Sequence, residues 1–159
     1  MKLHRSIFAG LLIAVAAVAF QGCETYSEQA ARRDAMNQAI LQEPQGNYFV
    51  GRRFYKRDYK MWGWVRSPGQ PWKTAQLVML NEQKMLAPDR ARNDIGSDNN
   101  YEYRLTGYFS GDKVYEPASD TIYPEFVLTG CEVRSTDPPL IFETAREAEP
   151  SVRILQPPI

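Results

Sequence analysis

The sequence predicts a mainly β protein: a small five- to six-stranded barrel (OB-like) or a sandwich, preceded by a short helical tether. Three observations predict it. The texture changes at Tyr48, from a stretch rich in Ala, Gln, Glu and Arg to one rich in aromatic and branched residues cut by turn residues. The segment 101–109 alternates strictly: Tyr101, Tyr103, Leu105, Gly107 and Phe109 against Glu102, Arg104, Thr106 and Tyr108. Short runs of this kind recur over about 90 residues with one long connection, which suits a small barrel or sandwich. The strand count, the long inserted loop and Gly107 as a bend in the central strand favour the OB-like barrel.

In chain order, 24–43 lacks Gly and Pro and predicts partial helix. Its apolar residues Ala35, Met36, Ala39, Ile40 and Leu41 gather late and form a weak face, so 23–47 reads as a tether stopped near Pro44 and Gly46. Strands are expected at 48–55 and 59–66, then a reversal at Ser67-Pro68-Gly69-Gln70-Pro71. Further strands are expected at 74–80 and 101–109. Ser110-Gly111-Asp112 reads as a turn into a short strand at 113–115, and 125–133 closes the set. The β domain is thus 48–137. Pro138 and Pro139 break regularity, and 138–159 reads as a Pro-containing acidic tail.

The amino terminus carries a different signal. Lys2 and Arg5 precede an apolar run at 7–20, 14 residues long, followed by Gln21, Gly22 and Cys23. The run is too short for a permanent bilayer span, which needs about 20 residues, and the layout is that of a secretory signal peptide at 1–22. Phe20-Gln21-Gly22-Cys23 resembles the lipobox of bacterial lipoproteins, with Phe20 where leucine is commoner. The resemblance implies that Cys23 becomes the first residue of the mature chain. Its thiol would carry a diacylglyceryl group, and its amine usually a further acyl chain such as palmitate. Two or three chains anchor a protein stably where one does not. Glu24 after the cysteine, rather than Asp, implies the outer membrane, periplasmic face, by the same resemblance.

Several chemistries are excluded by composition. The sole histidine, His4, lies in the leader, so the mature chain has none for a Ser-His-Asp or Cys-His site or for a metal. With Cys23 lipidated, Cys131 has no disulfide partner; its apolar neighbours predict a small core residue. The mature chain carries 17 basic residues (19 less Lys2 and Arg5) against 19 acidic ones, so no global charge drives nucleic-acid binding. No cofactor or metal motif stands out. Asp94, Asp98 and Asn100 in the polar loop 81–100 offer oxygens for calcium, but without EF-hand spacing; turn and capping chemistry accounts for them better. Carboxylates such as Glu102, Asp112, Glu116 and Glu125 form no evident acid–base pair.

Charge is segregated nonetheless. From Gly51 to Lys73 there are seven basic residues and one acidic, whereas from Glu116 to Glu149 there are eight acidic and two basic. On a strand at 59–66, Lys60, Trp62, Trp64 and Arg66 share one face, and Met61, Gly63 and Val65 the other. If the second set faces the core, Lys60, Trp62, Trp64 and Arg66 form an open cation–aromatic surface able to stack on sugars and pair with anions. The alternative is that both tryptophans fill the core. The sequence therefore predicts a non-enzymatic, lipid-anchored binding or adaptor module. It would be held to the membrane through Cys23 and contact an envelope protein or an anionic glycan such as peptidoglycan. A carboxylate-based envelope hydrolase and a structural subunit of an envelope assembly are the alternatives.

Overall fold

A computed structural model describes residues 26–59, 62–153 and 157–159. The leader, the lipobox with Cys23, and Lys60 lie outside the described residues. The chain divides into two units, 1–31 and 32–159. Of the first only 26–31 is described, as the opening turns of helix α1 (Tyr26–Leu41). No described helix is long and apolar enough to cross a membrane.

The helix expected within 23–47 is α1. Good helix formers and the absence of Gly and Pro sustain it, and a last turn from Gln42 N–H to the Ala39 carbonyl (3.1 Å) ends it before Pro44. Ile40 is its one buried residue, as the weak face foretold.

The β domain is a closed barrel. Its strands are β1 (Phe49–Arg52), β2 (Trp62–Arg66), β3 (Gln76–Asn81), β4 (Glu102–Glu116) and β5 (Thr121–Ser135). Around the barrel they run β1-β2-β3-β5-β4, and β4 returns to β1. All pairs are antiparallel except β3 with β5. This is an OB-like closed barrel, not a sandwich.

Strand alternation splits the apolar residues into two layers. Inside the barrel, Val65, Val78, Leu80, Tyr103, Leu105, Phe126 and Leu128 pack together. Outside β1, β2 and β3, a second cluster unites Val50, Trp62, Trp64 and Met79 with Ile40, Trp72, Ile141 and Phe142. The barrel's outer face is thus roofed by the end of α1, by the 3-10 turn at Trp72–Thr74 and by the carboxy-terminal segment.

That roof corrects the expected tail. Residues 138–153 form a strap across the domain, because Ile141 and Phe142 are apolar enough to bury (0% and 3% exposed) among acidic neighbours. The Ile159 N–H closes the strap on the Ile141 carbonyl at 3.0 Å.

Two further expectations change. Ser110-Gly111-Asp112 does not reverse the chain. β5 continues alongside it, so the register passes from Phe109↔Phe126 to Lys113↔Pro124 and the extra residues form a bulge, with Gly111 at φ 90°. The strands expected at 101–109 and 113–115 are one strand, β4. The reversal comes at 117–120, where Asp120 takes φ 48°.

The long loop 81–100 is not open polar chain either. It contains a short helix, α2 (Pro88–Ala91), with Pro88 in its first turn. Asp89 and Asp98 within the loop are buried.

Candidate functional site

The buried carboxylates of the β3–β4 loop organise a site with the β1–β2 loop. Arg53, just after β1, donates both terminal nitrogens to Asp89, Nη2 to Oδ2 at 3.0 Å, and lies 3.5 Å from Asp98 Oδ2. Asp89 also accepts the N–H of Arg90 at 2.8 Å and of Gly96 at 3.0 Å. Burial opposes the charge on Asp89, but the bonds from Arg53, Gly96 and Arg90 outweigh it and hold the carboxyl below its usual range. Asp98 accepts from the Tyr103 hydroxyl at 2.7 Å, and the Asn100 side chain donates to the Pro138 carbonyl at 3.2 Å. Oδ2 of Asp98 is thus taken up by protein donors, as packing chemistry predicts.

The two loops are stitched along their backbones. Tyr55 N–H donates to Asn99 Oδ1 at 2.9 Å, and Asn100 N–H to the Arg53 carbonyl at 3.0 Å. The Tyr55 side chain packs against Gly96. There φ is 87° and an added Cβ would stand 2.8 Å from the ring, so only glycine fits.

The strap holds the other side of the β1–β2 loop. Lys56 is 2% exposed, and its ammonium donates to the carbonyls of Glu147 (2.5 Å) and Glu149 (2.7 Å). Burial pushes this amine's pKa down, against the pull of the Glu149 and Glu147 carboxylates. Arg57 N–H donates to the Pro150 carbonyl at 3.1 Å, and Arg153 Nε to Asp58 at 2.5 Å.

Between these fixed loops opens a cleft of about 320 Å³. Its rings come from Phe54, Tyr55, Tyr59 and Trp62, its cations from Arg53, Lys56, Arg57 and Arg90, and Ile95 stands at the rim, 53% exposed. The cations differ in what they hold. Arg53 and Lys56 are committed as described. Arg90 turns Nε toward Glu82 at 3.3 Å as an ion pair without a hydrogen bond, and its terminal nitrogens have no partner among the described residues. Arg57 is exposed, and its side chain has no partner among the described residues. The cleft therefore presents guanidinium donors beside aromatic rings, with no carboxylate on its described walls.

Comparison with protein-family models, with curated proteins and with solved structures finds no match to this chain. The site is read from its own geometry.

The sequence-predicted surface on β2 needs correction. Alternation holds: Val65 enters the barrel, and Trp62, Trp64 and Arg66 share the other face. That face is not open. Trp62 and Trp64 are each 6% exposed and Arg66 is 2% exposed, because α1, Trp72 and the strap cover them. Arg66 is bound to Glu43 through two bonds of 2.6 and 2.8 Å and stacks on Trp72 at 4.8 Å. Of the residues predicted to bind ligand, only Trp62 lines the cleft; Lys60 lies outside the described residues.

Arg53, Tyr55, Lys56 and Arg57 lie in the basic stretch that the sequence singled out, but their convergence with Arg90 and Ile95 depends on the long loop folding back. Cys131 is partly buried and packs on the barrel core. Burial, helped by Asp98, pushes its thiol up to about 12, which leaves it a poor nucleophile.

Proposed function

We propose that this protein is a lipid-anchored, non-enzymatic binding module of the bacterial cell envelope, held through Cys23 at the periplasmic face of the outer membrane. The cleft between the β1–β2 and β3–β4 loops engages an envelope protein or an anionic glycan. The leader and its lipobox-like end support the address. The single observation that carries the binding reading is the cleft in which the Arg57 side chain, without a partner among the described residues, and the terminal nitrogens of Arg90, whose Nε faces Glu82, stand beside aromatic rings. Such an arrangement attracts and orients an anion. Glycoside hydrolysis requires two carboxyl groups facing the scissile bond, and the described walls supply cations and rings instead. The barrel serves as scaffold: the outer face of β1, β2 and β3 is already covered by the roof.

Two measurements test this reading. Cys23→Ser should release the protein from washed membranes, and mass spectrometry of the mature amino terminus should find acylated Cys23. A photo-cross-linking residue placed at Ile95, on the cleft rim, should capture an envelope component in cells. The same residue at Val133, which is 51% exposed and away from the cleft, should not. Equal labelling at both positions refutes the cleft as the contact surface.

A further inference from the structure

We infer that the cleft takes one acidic monosaccharide unit, with its carboxylate or phosphate on the guanidinium groups of Arg57 and Arg90 and its ring against Tyr55. This rests on the binding-module reading and names its ligand.

The volume limits the guest. Small-molecule sites span about 300–1,000 Å³, and this cleft, at about 320 Å³, stands at the small end. It suits a single ring with substituents. Its concavity also argues against a protein surface, since stable protein interfaces spread over about 1,200–2,000 Å² of buried area.

The donors specify charge. Arg57 and Arg90 both retain guanidinium N–H groups without partners among the described residues. A planar guanidinium matches a carboxylate or a phosphate with paired hydrogen bonds, and charge-assisted bonds of this kind are about twice as strong as neutral ones. Of the other two cations, Arg53 is neutralised by Asp89 and Lys56 gives its donors to the strap carbonyls. A neutral sugar would offer the Arg57 and Arg90 donors only uncharged hydroxyl or carbonyl oxygens and forgo the charge-assisted bonds.

The rings specify the rest. Tyr55, half-buried, is held by its ring against Gly96 and by its backbone N–H on Asn99 Oδ1. Electron-rich ring faces attract the polarised C–H bonds of a sugar, and rigid rings lose little entropy on contact. A bare anion would meet the guanidinium groups and leave these walls unused.

The full-length chain in detergent, titrated with defined probes, tests the inference, with tryptophan fluorescence as one signal and calorimetry as the other. The probes are N-acetylmuramic acid, glucose 6-phosphate, N-acetylglucosamine, acetate and inorganic phosphate. At least one acidic sugar should bind saturably, about tenfold or more tighter than N-acetylglucosamine and than the bare anion of its own type. Preference for the first or second probe tells a wall-type carboxylate from a sugar phosphate. Arg57→Ala, at an exposed side chain, should weaken that binding by about tenfold, and Ile95→Trp, which narrows the mouth, should abolish it.

Equal affinity for the neutral sugar overturns the inference. So does indifference to Arg57→Ala, or no saturable binding of any probe up to roughly 10 mM, beyond which affinity is negligible. An envelope protein cross-linked at Ile95 without sugar binding would overturn this inference and leave the binding-module reading standing, whereas equal cross-linking at Ile95 and Val133 would strike the reading itself.

Discussion

Two regions of this molecule have the same composition and opposite fates. On the outer face of β1 and β2, Arg52 and Arg66 stand beside Trp62, Trp64 and Trp72. In the cleft, Arg57 and Arg90 stand beside Tyr55 and Trp62. The first region is closed: Arg52 and Arg66 both stack on Trp72, at 5.0 and 4.8 Å, Arg52 is paired with Glu102 at 2.9 Å, and Arg66 with Glu43. The second keeps donors free. What separates a structural cation from an available one is a carboxylate delivered from elsewhere in the chain. Glu43 reaches Arg66 across 23 residues of sequence and Glu102 reaches Arg52 across 50; no carboxylate on the described walls reaches Arg57.

The closed region should break most severely at Trp72. The side chain is fully buried, and both guanidinium groups rest on it. Trp72→Ala leaves a large cavity between two charges and should cost about 3–5 kcal/mol. Urea unfolding measures it as a lower midpoint. A loss below about 1 kcal/mol would mean that the roof collapses onto the gap and that the stack contributes little.

Glu43 ranks next. Its carboxylate accepts from Arg66, from Arg134 at 2.8 Å and from the Gly69 N–H at 2.9 Å. Burial works against its charge, but these bonds prevail and hold its pKa at about 2, below the ordinary 4.5. A depressed folded-state pKa stabilises the protein above the unfolded value and loses that contribution as pH falls through the folded one. Stability should therefore drop between about pH 4.5 and 2, by about 2–3 kcal/mol from this group. Glu43→Gln should remove most of that slope and lower stability at neutral pH by a similar amount. An unchanged acid profile in the variant would assign the slope to other carboxylates.

Much of this arrangement was legible beforehand and some of it was not. The alternation in 101–109 and the density of short apolar runs announced a small barrel, because a strand with one face in a core must alternate. The same alternation put Trp62, Trp64 and Arg66 on one face. It could not say that this face would be covered, since the cover comes from Ile40, Trp72, Ile141 and Phe142, at large separations along the chain. The acidic, Pro-containing composition of 138–159 concealed two apolar anchors. Ser110-Gly111-Asp112 carries a true turn signal, overridden because β5 pairs on both sides of it. The basic stretch from Gly51 pointed to the right neighbourhood for the cleft, while Arg90 and Ile95 joined it only through the folded β3–β4 loop.

Lys56 links the two regions and should give a smaller effect. Its ammonium has two strap carbonyls and no carboxylate in contact. Lys56→Met removes a buried charge as well as two hydrogen bonds. The gain in desolvation offsets part of the loss, and the two orphaned carbonyls should cost about 1–2 kcal/mol. The sharper readout is local. Hydrogen exchange at the Arg57 amide, bonded to Pro150, should accelerate before the barrel amides do. Equal acceleration everywhere would show that the strap and barrel open as one unit.

The smallest stability effect should fall at Arg57, and that is its diagnostic value. Its side chain is exposed and unpaired among the described residues, so nothing in the fold depends on it. Its backbone N–H bond to Pro150 survives substitution. Arg57→Ala should therefore stay within about 0.5 kcal/mol of the parent in urea unfolding, as surface substitutions do. The same change should weaken binding of an acidic sugar about tenfold, because a charge-assisted contact is lost. A residue that matters to the ligand and not to the fold is what an open site requires, whereas Arg66, bound to Glu43, should show the reverse. If Arg57→Ala destabilises the protein as much as the changes at Trp72 and Glu43 do, the contrast between the closed face and the open cleft collapses.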